Sequence, residues 1–267
     1  MQTYTSFPAD YFGKNPDSQI ASREQTLQTC KNTFRSRLIN FIEVLPQNAV
    51  VLDSGCGNGK ATKMVLSLRP DVTMYAIDIT DTSQYLPEGV QFKIGSVDDV
   101  DKLYEENFFD AIIQMHVIEH LTFPIDMISS HRSVLKPGGT IYIETPNWVR
   151  AFTPFSDIYF YNDYTHIRPF SIFAMTKLLS EFEFDDIQVH SVHSMTFFSP
   201  NDSLSCCTHK LVNLDTCTHP SIMNAKLKIQ RTTWQKTKTV IKKVLLRFIH
   251  PLLKDVLVAV ARKPMTP

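Results

Sequence analysis

At 267 residues, 43% hydrophobic and 20% charged, the chain suits one large domain or two small ones, and a globally disordered protein is excluded. Its longest uninterrupted apolar run, Val256–Ala261, has six residues, against the roughly 18–20 that span a bilayer. Five cysteines, an odd and sparse number, argue against a disulfide scaffold. Met1–Thr5 offers neither a basic nor an apolar leader segment, so no secretory signal is expected and a cytoplasmic protein is. The formal charge is zero but divided: 16 basic and 26 acidic residues precede Lys226, and eleven basic residues with one acid, Asp255, follow from there. That asymmetry points to an anionic partner for the basic part, or to its docking on the acidic body.

In chain order, residues 1–17 are turn-rich and read as an irregular arm. Ser18–Val44 lacks Gly and Pro and repeats Leu27, Phe34, Leu38, Phe41 and Ile42 at helical spacing, so a capping helix is expected before Pro46. Ala49–Leu52 is a short strand that leads into a glycine loop. A helix follows with Ala61, Met64, Val65 and Leu68 on one face, and Asn58 is its candidate cap. Strands are expected at Val72–Ile77, Val90–Ile94, Phe109–Met115, Thr140–Ile143 and Ile187–Val192. Helices are expected near Asp98–Glu106, Phe123–Leu135 and Ile172–Glu181. This alternation is the pattern of a doubly wound α/β sheet. Residues 199–224 are polar and irregular, and 226–249 resume helical periodicity with one apolar and one basic face. Val256–Ala261 reads as a buried strand. The expected organisation is an arm and helix (1–46), a core (47–198), a basic helical insertion (199–254) and a returning strand with a short tail (255–267).

The loop Asp53-Ser54-Gly55-Cys56-Gly57-Asn58-Gly59 carries the chemistry. Glycines remove Cβ atoms so that main chain can touch a ligand, and a helix N-terminus behind them offers free N–H groups. The dinucleotide fingerprint needs its third glycine one residue later, and a Walker A loop needs a Gly-Lys-Ser/Thr that is missing.

Val51–Gly59 resembles the first motif of class I S-adenosylmethionine (SAM) dependent methyltransferases. Further motifs follow in order: Asp78 closing the second strand, Ile94-Gly95-Ser96-Val97-Asp98 after the third, Phe109–Ile113 opening the fourth, and Leu135–Gly139 before the fifth. The resemblance implies a Rossmann-like sheet of seven strands whose antiparallel last strand, here Val256–Ala261, closes the sheet. It also implies roles. Gly55 and Gly57 lie against the methionine part of the cofactor, and Asp53 orients the loop and attracts the ammonium. Asp78 accepts from the ribose hydroxyls, Val97 packs on adenine, Asp98 accepts from its amino group, and Met115 lines the site. Ser96 stands where the family commonly has an acid.

His116-Val117-Ile118-Glu119-His120, Thr145-Pro146-Asn147 and Asp163–Phe170 are together similar to a subgroup of ubiquinone-pathway, glycan, natural-product and small-RNA O-methyltransferases. Some of its members hold a divalent metal through Glu-x-x-Glu-His and a later His. Here Glu119, His120 and His166 match, while His116 replaces the first Glu. Three readings stay open for His116, Glu119, His120 and His166: metal-assisted activation, a His general base with Glu119, His120 and His166 as the catalytic set, or a structural cluster. A divalent metal is not the expectation. The expected reaction is O-methylation of a hydroxyl on a small molecule, sugar or lipid-linked acceptor. RNA 2′-O-methylation, N- or C-methylation and a catalytically silent SAM-binding protein are the alternatives.

Two weaker signals remain. Cys206, Cys207 and His209 with Cys217 and His219 lack familiar zinc spacing and read as a polar loop. The 226–249 helix has three readings: a solvated face, peripheral contact with the inner face of an anionic membrane or a lipid-linked acceptor, or nucleic acid, for which no binding motif is present.

Overall fold

In the computed structural model of the chain, residues 20–30, 36–152, 159–192 and 256–265 are described. The arm at 1–17, the Cys/His pairs between 206 and 219 and the basic helix at 226–249 lie outside the described residues. Two helices, α1 (Arg23–Cys30) and α2 (Ser36–Glu43), are described within the expected 18–44 helix. On α2 the spacing of Leu38, Ile39, Phe41 and Ile42 turns all four inward.

Seven strands form one sheet: β1 (Val50–Ser54), β2 (Thr73–Asp78), β3 (Gln91–Ile94), β4 (Phe109–Met115), β5 (Leu135–Pro146), β6 (Asp185–Val192) and β7 (Val256–Arg262). Their order is β3-β2-β1-β4-β5-β7-β6. The first five pair in parallel, and β7 runs antiparallel to both neighbours. The last strand therefore does not sit at the border of the sheet. It is wedged between β5 and β6, and β6 forms the edge among the described residues. Lys263 secures the end of β7, its Nζ donating to Asn107 Oδ1, the Arg132 carbonyl and the Leu135 carbonyl at 2.7–2.9 Å.

The near-continuous apolar runs of β1, β4 and β5 are explained by burial on both faces. Leu52, Ile112, Ile141 and Ile143 face one way, onto Met127 and Ile128 of α5 (Pro124–Val134) and Met175 and Leu179 of α6 (Ile172–Glu181). Val51, Ala111, Ile113 and Tyr142 face the other way, onto α2 and onto Val65 and Leu68 of α3 (Lys60–Leu68). The described residues thus form a three-layer sandwich whose parallel strands point their carboxyl ends to one side.

Three expectations are corrected. The N-cap of α3 is Gly59, at φ 72°, with no side-chain cap, so Asn58 is not the capping residue. The helix expected at Asp98–Glu106 is a 3-10 turn, Val97–Asp99, followed by one α-helical turn, α4 (Val100–Leu103). The strand expected at Thr140–Ile143 extends from Leu135 through Pro146, and this extra length carries Glu144 and Thr145 into the site.

Candidate active site

The order of the sheet reverses between β1 and β4, where an open parallel sheet leaves a crevice at its carboxyl ends. The glycine loop lies there. The Gly55 and Cys56 amides both donate to the Ile77 carbonyl at 2.9 Å, which lashes the loop to β2. Gly55 (φ 75°), Gly57 (51°) and Gly59 (72°) all take left-handed backbone, which side-chain-bearing residues adopt only at a cost. A Cβ on Gly55 would overlap Val117 Cγ2, and one on Gly59 would come within 2.7 Å of Leu86 Cδ2.

Two buried carboxylates stiffen this cradle. Asp53 Oδ2 accepts from the Thr62 amide at 3.0 Å and the Thr62 hydroxyl at 2.6 Å, tying the end of β1 to the first turn of α3. Burial nonetheless lifts its pKa to about 6. Asp78 Oδ2 accepts from the Gly57 amide at 2.9 Å and Oδ1 from the Thr80 amide at 3.0 Å; burial raises its pKa as well. Below them, the fully buried His131 donates from Nδ1 to the Met127 carbonyl (2.6 Å) and accepts at Nε2 from the Ser54 hydroxyl (2.8 Å). Burial holds its pKa down to about 4, so the ring is neutral.

Beyond β3, Val97 is buried in the core. Its neighbour Asp98 is half-buried, and its Oδ1 is shielded from solvent without a hydrogen-bond partner. Burial, then Asp126 and Asp99, lift its pKa to about 6. The Ser96 hydroxyl accepts from the Asp98 amide at 3.3 Å, so the serine at the usual acid position caps the turn that carries Asp98. Met115, half-buried at the end of β4, packs on the α2–α3 side of the sheet. Cys56 is buried with Sγ 3.5 Å from Thr82 Oγ1, and burial pushes its pKa up, so it is inert packing within the loop.

These residues fit an adenosyl cofactor. The glycines present main chain, Asp78 retains lone pairs beyond its two amide bonds, and the orphaned oxygen of Asp98 lacks only a donor such as an exocyclic amine.

On the other side of β4 the chain turns through His116, at φ 56°, into a 3-10 turn, Ile118–His120. Glu119 is fully buried. Its Oε2 accepts from the Thr145 hydroxyl at 2.9 Å, and its Oε1 lies 3.3 Å from His116 Nδ1 and 4.0 Å from His166 Nε2. The Ile167 and Arg168 amides donate to the Glu119 carbonyl, which docks the 163–170 loop against this turn. His166 donates from Nδ1 to the Phe160 carbonyl at 2.6 Å, leaving the Nε2 lone pair on the Glu119 side. Burial lowers its pKa, with Glu119 acting in the opposite direction. His120 Nδ1 faces the Thr165 hydroxyl (2.9 Å) and carbonyl (3.2 Å), and its ring lies 4.8 Å from that of His166.

The structure thus brings together Glu119, His120 and His166, whose ligand-type atoms lie within 4.8 Å of one another. One carboxylate and two imidazoles are a donor set that a transition metal can use. His116 is held differently. Its Nε2 is 3.1 Å from Oε1 of Glu144, and Glu144 is also fully buried and accepts from the Tyr142 hydroxyl at 3.1 Å. Burial opposes a charge on His116, but Glu119 and Glu144 outweigh it and raise its pKa to about 9. Glu144 was missed at the sequence level. Its one signal is an acid closing an apolar strand at the carboxyl edge of a parallel sheet. Trp148, Phe152, Tyr161, Tyr164 and Phe173, all exposed, come from the segments flanking this side.

The comparisons with known proteins agree with this geometry. A family model described as "Methyltransferase domain" matches residues 26–189, more than half of the chain. The ubiquinone biosynthesis O-methyltransferase of Xanthomonas axonopodis pv. citri (strain 306) is 34% identical over 110 residues, which are 38% of this chain and 45% of that protein. The tRNA (carboxymethyluridine(34)-5-O)-methyltransferase of Arabidopsis thaliana is 32% identical over 129 residues, 45% of this chain and 31% of its own. The chain therefore spans less than half the length of these curated relatives. A SAM-dependent methyltransferase structure from Archaeoglobus fulgidus shares the fold, with a TM-score of 0.56 at 20% identity, covering 91% of this chain and 95% of that one. Glycine cradle, strand order and family match converge: the chain belongs to the class I SAM-dependent methyltransferase family.

Proposed function

We propose that the protein transfers a methyl group from SAM to a hydroxyl of a small molecule, a sugar or a lipid-linked acceptor. The observation that carries this reading is the pairing of two half-sites across β4. One is a glycine cradle with the orphaned Asp98 carboxylate oxygen, and the other is a His166 whose Nε2 lone pair lies beside Glu119.

SAM, when bound, supplies an electrophilic methyl on a sulfonium, so placement does most of the work. The methionine part would lie on Gly55 and Gly57 with Met115 beside it, and Asp53 would hold the loop and attract its ammonium. Asp78 would take the ribose hydroxyls, and Val97 with Asp98 the adenine. On the acceptor side, His166 Nε2 is the base that takes the hydroxyl proton. The Phe160 carbonyl fixes its tautomer, and the Glu119 and Asp163 carboxylates, at 4.0 and 3.8 Å, favour the imidazolium that forms. His120 holds the loop that carries His166 through Thr165, so its part is positional. The exposed aromatic side chains of the flanking segments suit an acceptor with an apolar body. The reaction is placed in the cytoplasm, with 226–249 as the segment for peripheral contact with a membrane; no helix of the described residues is long and apolar enough to cross one.

Two measurements test the proposal. Thermal melts with SAM, S-adenosylhomocysteine, NAD and ATP should show a shift of about 5–10 °C for the first two alone, the effect of ligand at about 100 times its dissociation constant. Labelled methyl from SAM should then pass to catechol-type, glycan or prenylated acceptors and not to tRNA. Labelling of tRNA instead would replace the acceptor class, and a shift with NAD alone would overturn the reading.

A further inference from the structure

At the amino ends of the parallel strands, away from the cofactor crevice, the fold encloses a cavity of about 390 Å³. That is toward the small end of the range for ligand pockets, about 300–1,000 Å³. Glu106 and Asn107 stand before β4, Arg132 lies in the last turn of α5, Glu181 and Phe182 end α6, and Lys263 follows β7.

The walls are fixed. Lys263 Nζ donates to Asn107 Oδ1 and to the Arg132 and Leu135 carbonyls, which clamps the segment before β4, the end of α5 and the start of β5 together. A Schellman turn closes α6: the Glu183 amide donates to the Ser180 carbonyl at 3.0 Å and the Phe184 amide to the Leu179 carbonyl at 3.2 Å. Glu183 thereby occupies the left-handed position, at φ 52°, where glycine is the usual residue. The glutamate gives the wall what glycine could not, since its Oε2 accepts from Arg132 Nη2 at 2.8 Å. Arg132 is only part-used by this bond: its Nε has no acceptor in the protein, and an unmet donor of this kind calls for a partner. Asn107, whose Oδ1 serves Lys263, keeps its amide nitrogen as a further donor.

The balance of charge selects the class of ligand. Three acids, Glu106, Glu181 and Glu183, face two cations, Arg132 and Lys263. Both α5 and α6 bring their carboxyl ends here, the negative poles of their dipoles, so an anion is disfavoured. The two cations adjoin, since burial and then Arg132 lower the Lys263 pKa, and this opposes a cation. An apolar ligand would find only Phe182, the single apolar side chain of the lining. A neutral ring bearing many hydroxyls satisfies every wall. Hydroxyls both donate and accept, so neighbouring ones can give to a glutamate and take from Arg132 or Asn107, while the half-buried Phe182 offers an aromatic surface to the C–H face of the ring.

We propose that this cavity is a carbohydrate-binding site for neutral sugar rings, separate from the site of methyl transfer. Because it lies at the opposite end of the sheet, a ligand held there leaves the acceptor side free.

Saturation-transfer NMR on the full chain, with glucose, N-acetylglucosamine and cellobiose in turn, tests this; thermal melts with inorganic phosphate and spermidine test the charged alternatives. At least one sugar should bind the wild type with a millimolar dissociation constant, and neither charged probe should stabilise it. Arg132→Gln and Phe182→Ala should each weaken sugar binding about tenfold. Ser129→Trp, at an exposed lining position on α5, should abolish it by filling the cavity. If either of the first two variants does not fold, Ser129→Trp decides alone. Binding of none of the three sugars, sugar binding that Ser129→Trp retains, or stabilisation by phosphate or spermidine would each overturn the proposal. The SAM-induced shift should be the same in wild type and Ser129→Trp; its absence from the wild type counts against the proposed function, whatever the sugars do.

Discussion

The two sides of β4 solve the problem of buried charge differently. On the cofactor side the two acids at the glycine loop are satisfied by main-chain N–H groups and a hydroxyl: Asp53 by Thr62, Asp78 by Gly57 and Thr80. On the acceptor side charges meet charges, with His116 between Glu119 and Glu144 and His166 beside Glu119 and Asp163. The first arrangement joins the glycine loop to the start of α3 and the end of β2 and is fixed by backbone conformation. The second is assembled from three separate segments and fixed by side chains. Cofactor recognition should accordingly break with glycine geometry, and turnover with single side-chain chemistry.

The largest expected effect lies on the acceptor side. His166→Ala should lower turnover by about 10²–10⁴, the usual weight of a general base, with the SAM dissociation constant unchanged; equal losses in both would erase the contrast between the sides.

Next in size is the pH response of the layer under the cofactor loop. His131 titrates near 6.5 when unfolded and near 4 when folded, so between those values the unfolded chain binds more protons and stability falls as the pH falls. The loss should approach about 3 kcal/mol by pH 4, and His131→Gln should flatten it in denaturant melts. Asp53, lifted to about 6, has the opposite sign, and its contribution weakens the fold as pH rises from about 4 to 6. Asp53→Asn should therefore steepen the acid loss that remains.

Gly55→Ala should weaken SAM binding about 10–100-fold, because strain of about 1–3 kcal/mol at φ 75° adds to the overlap with Val117; isothermal titration reads this directly. The smallest effect should be that of Asp98→Asn. It turns a carboxylate, one oxygen of which has no partner in the protein, into an amide, so SAM affinity should drop about tenfold while the melting temperature of the ligand-free protein holds or rises.

The same contrast explains what could be read in the sequence. Strands buried on both faces leave apolar runs, and a ligand-touching backbone leaves glycines at fixed spacing, so β1, the loop and Asp78 were visible as a local pattern. His120, Glu119 and His166 could be singled out by residue type, but not their mutual placement. Glu144 had only the faint signature of an acid closing an apolar strand, since its meaning arises when β4 and β5 pair in parallel and set it level with Met115, next to His116. Asn58 looked like a cap because its residue type suits one, yet the left-handed turn at Gly59 moved the start of α3 by one residue. The strand Val256–Ala261 was legible as apolar, whereas its wedged position depends on pairings that no local pattern encodes.

That wedged position has a consequence for how the molecule is made. Among the described residues β6 bonds only to β7, and β7 follows it at a distance of more than 60 residues in the chain. A nascent chain that has emerged through Val192 already contains the glycine loop, Glu119 and His166, yet the main-chain edges of β5 and β6 that pair with β7 still lack that partner. Completion of the sheet must await Val256–Arg262, a long-range pairing of the kind that slows folding. During that interval the half-built sheet is a template for wrong partners, a hazard that ends when β7 pairs with both edges.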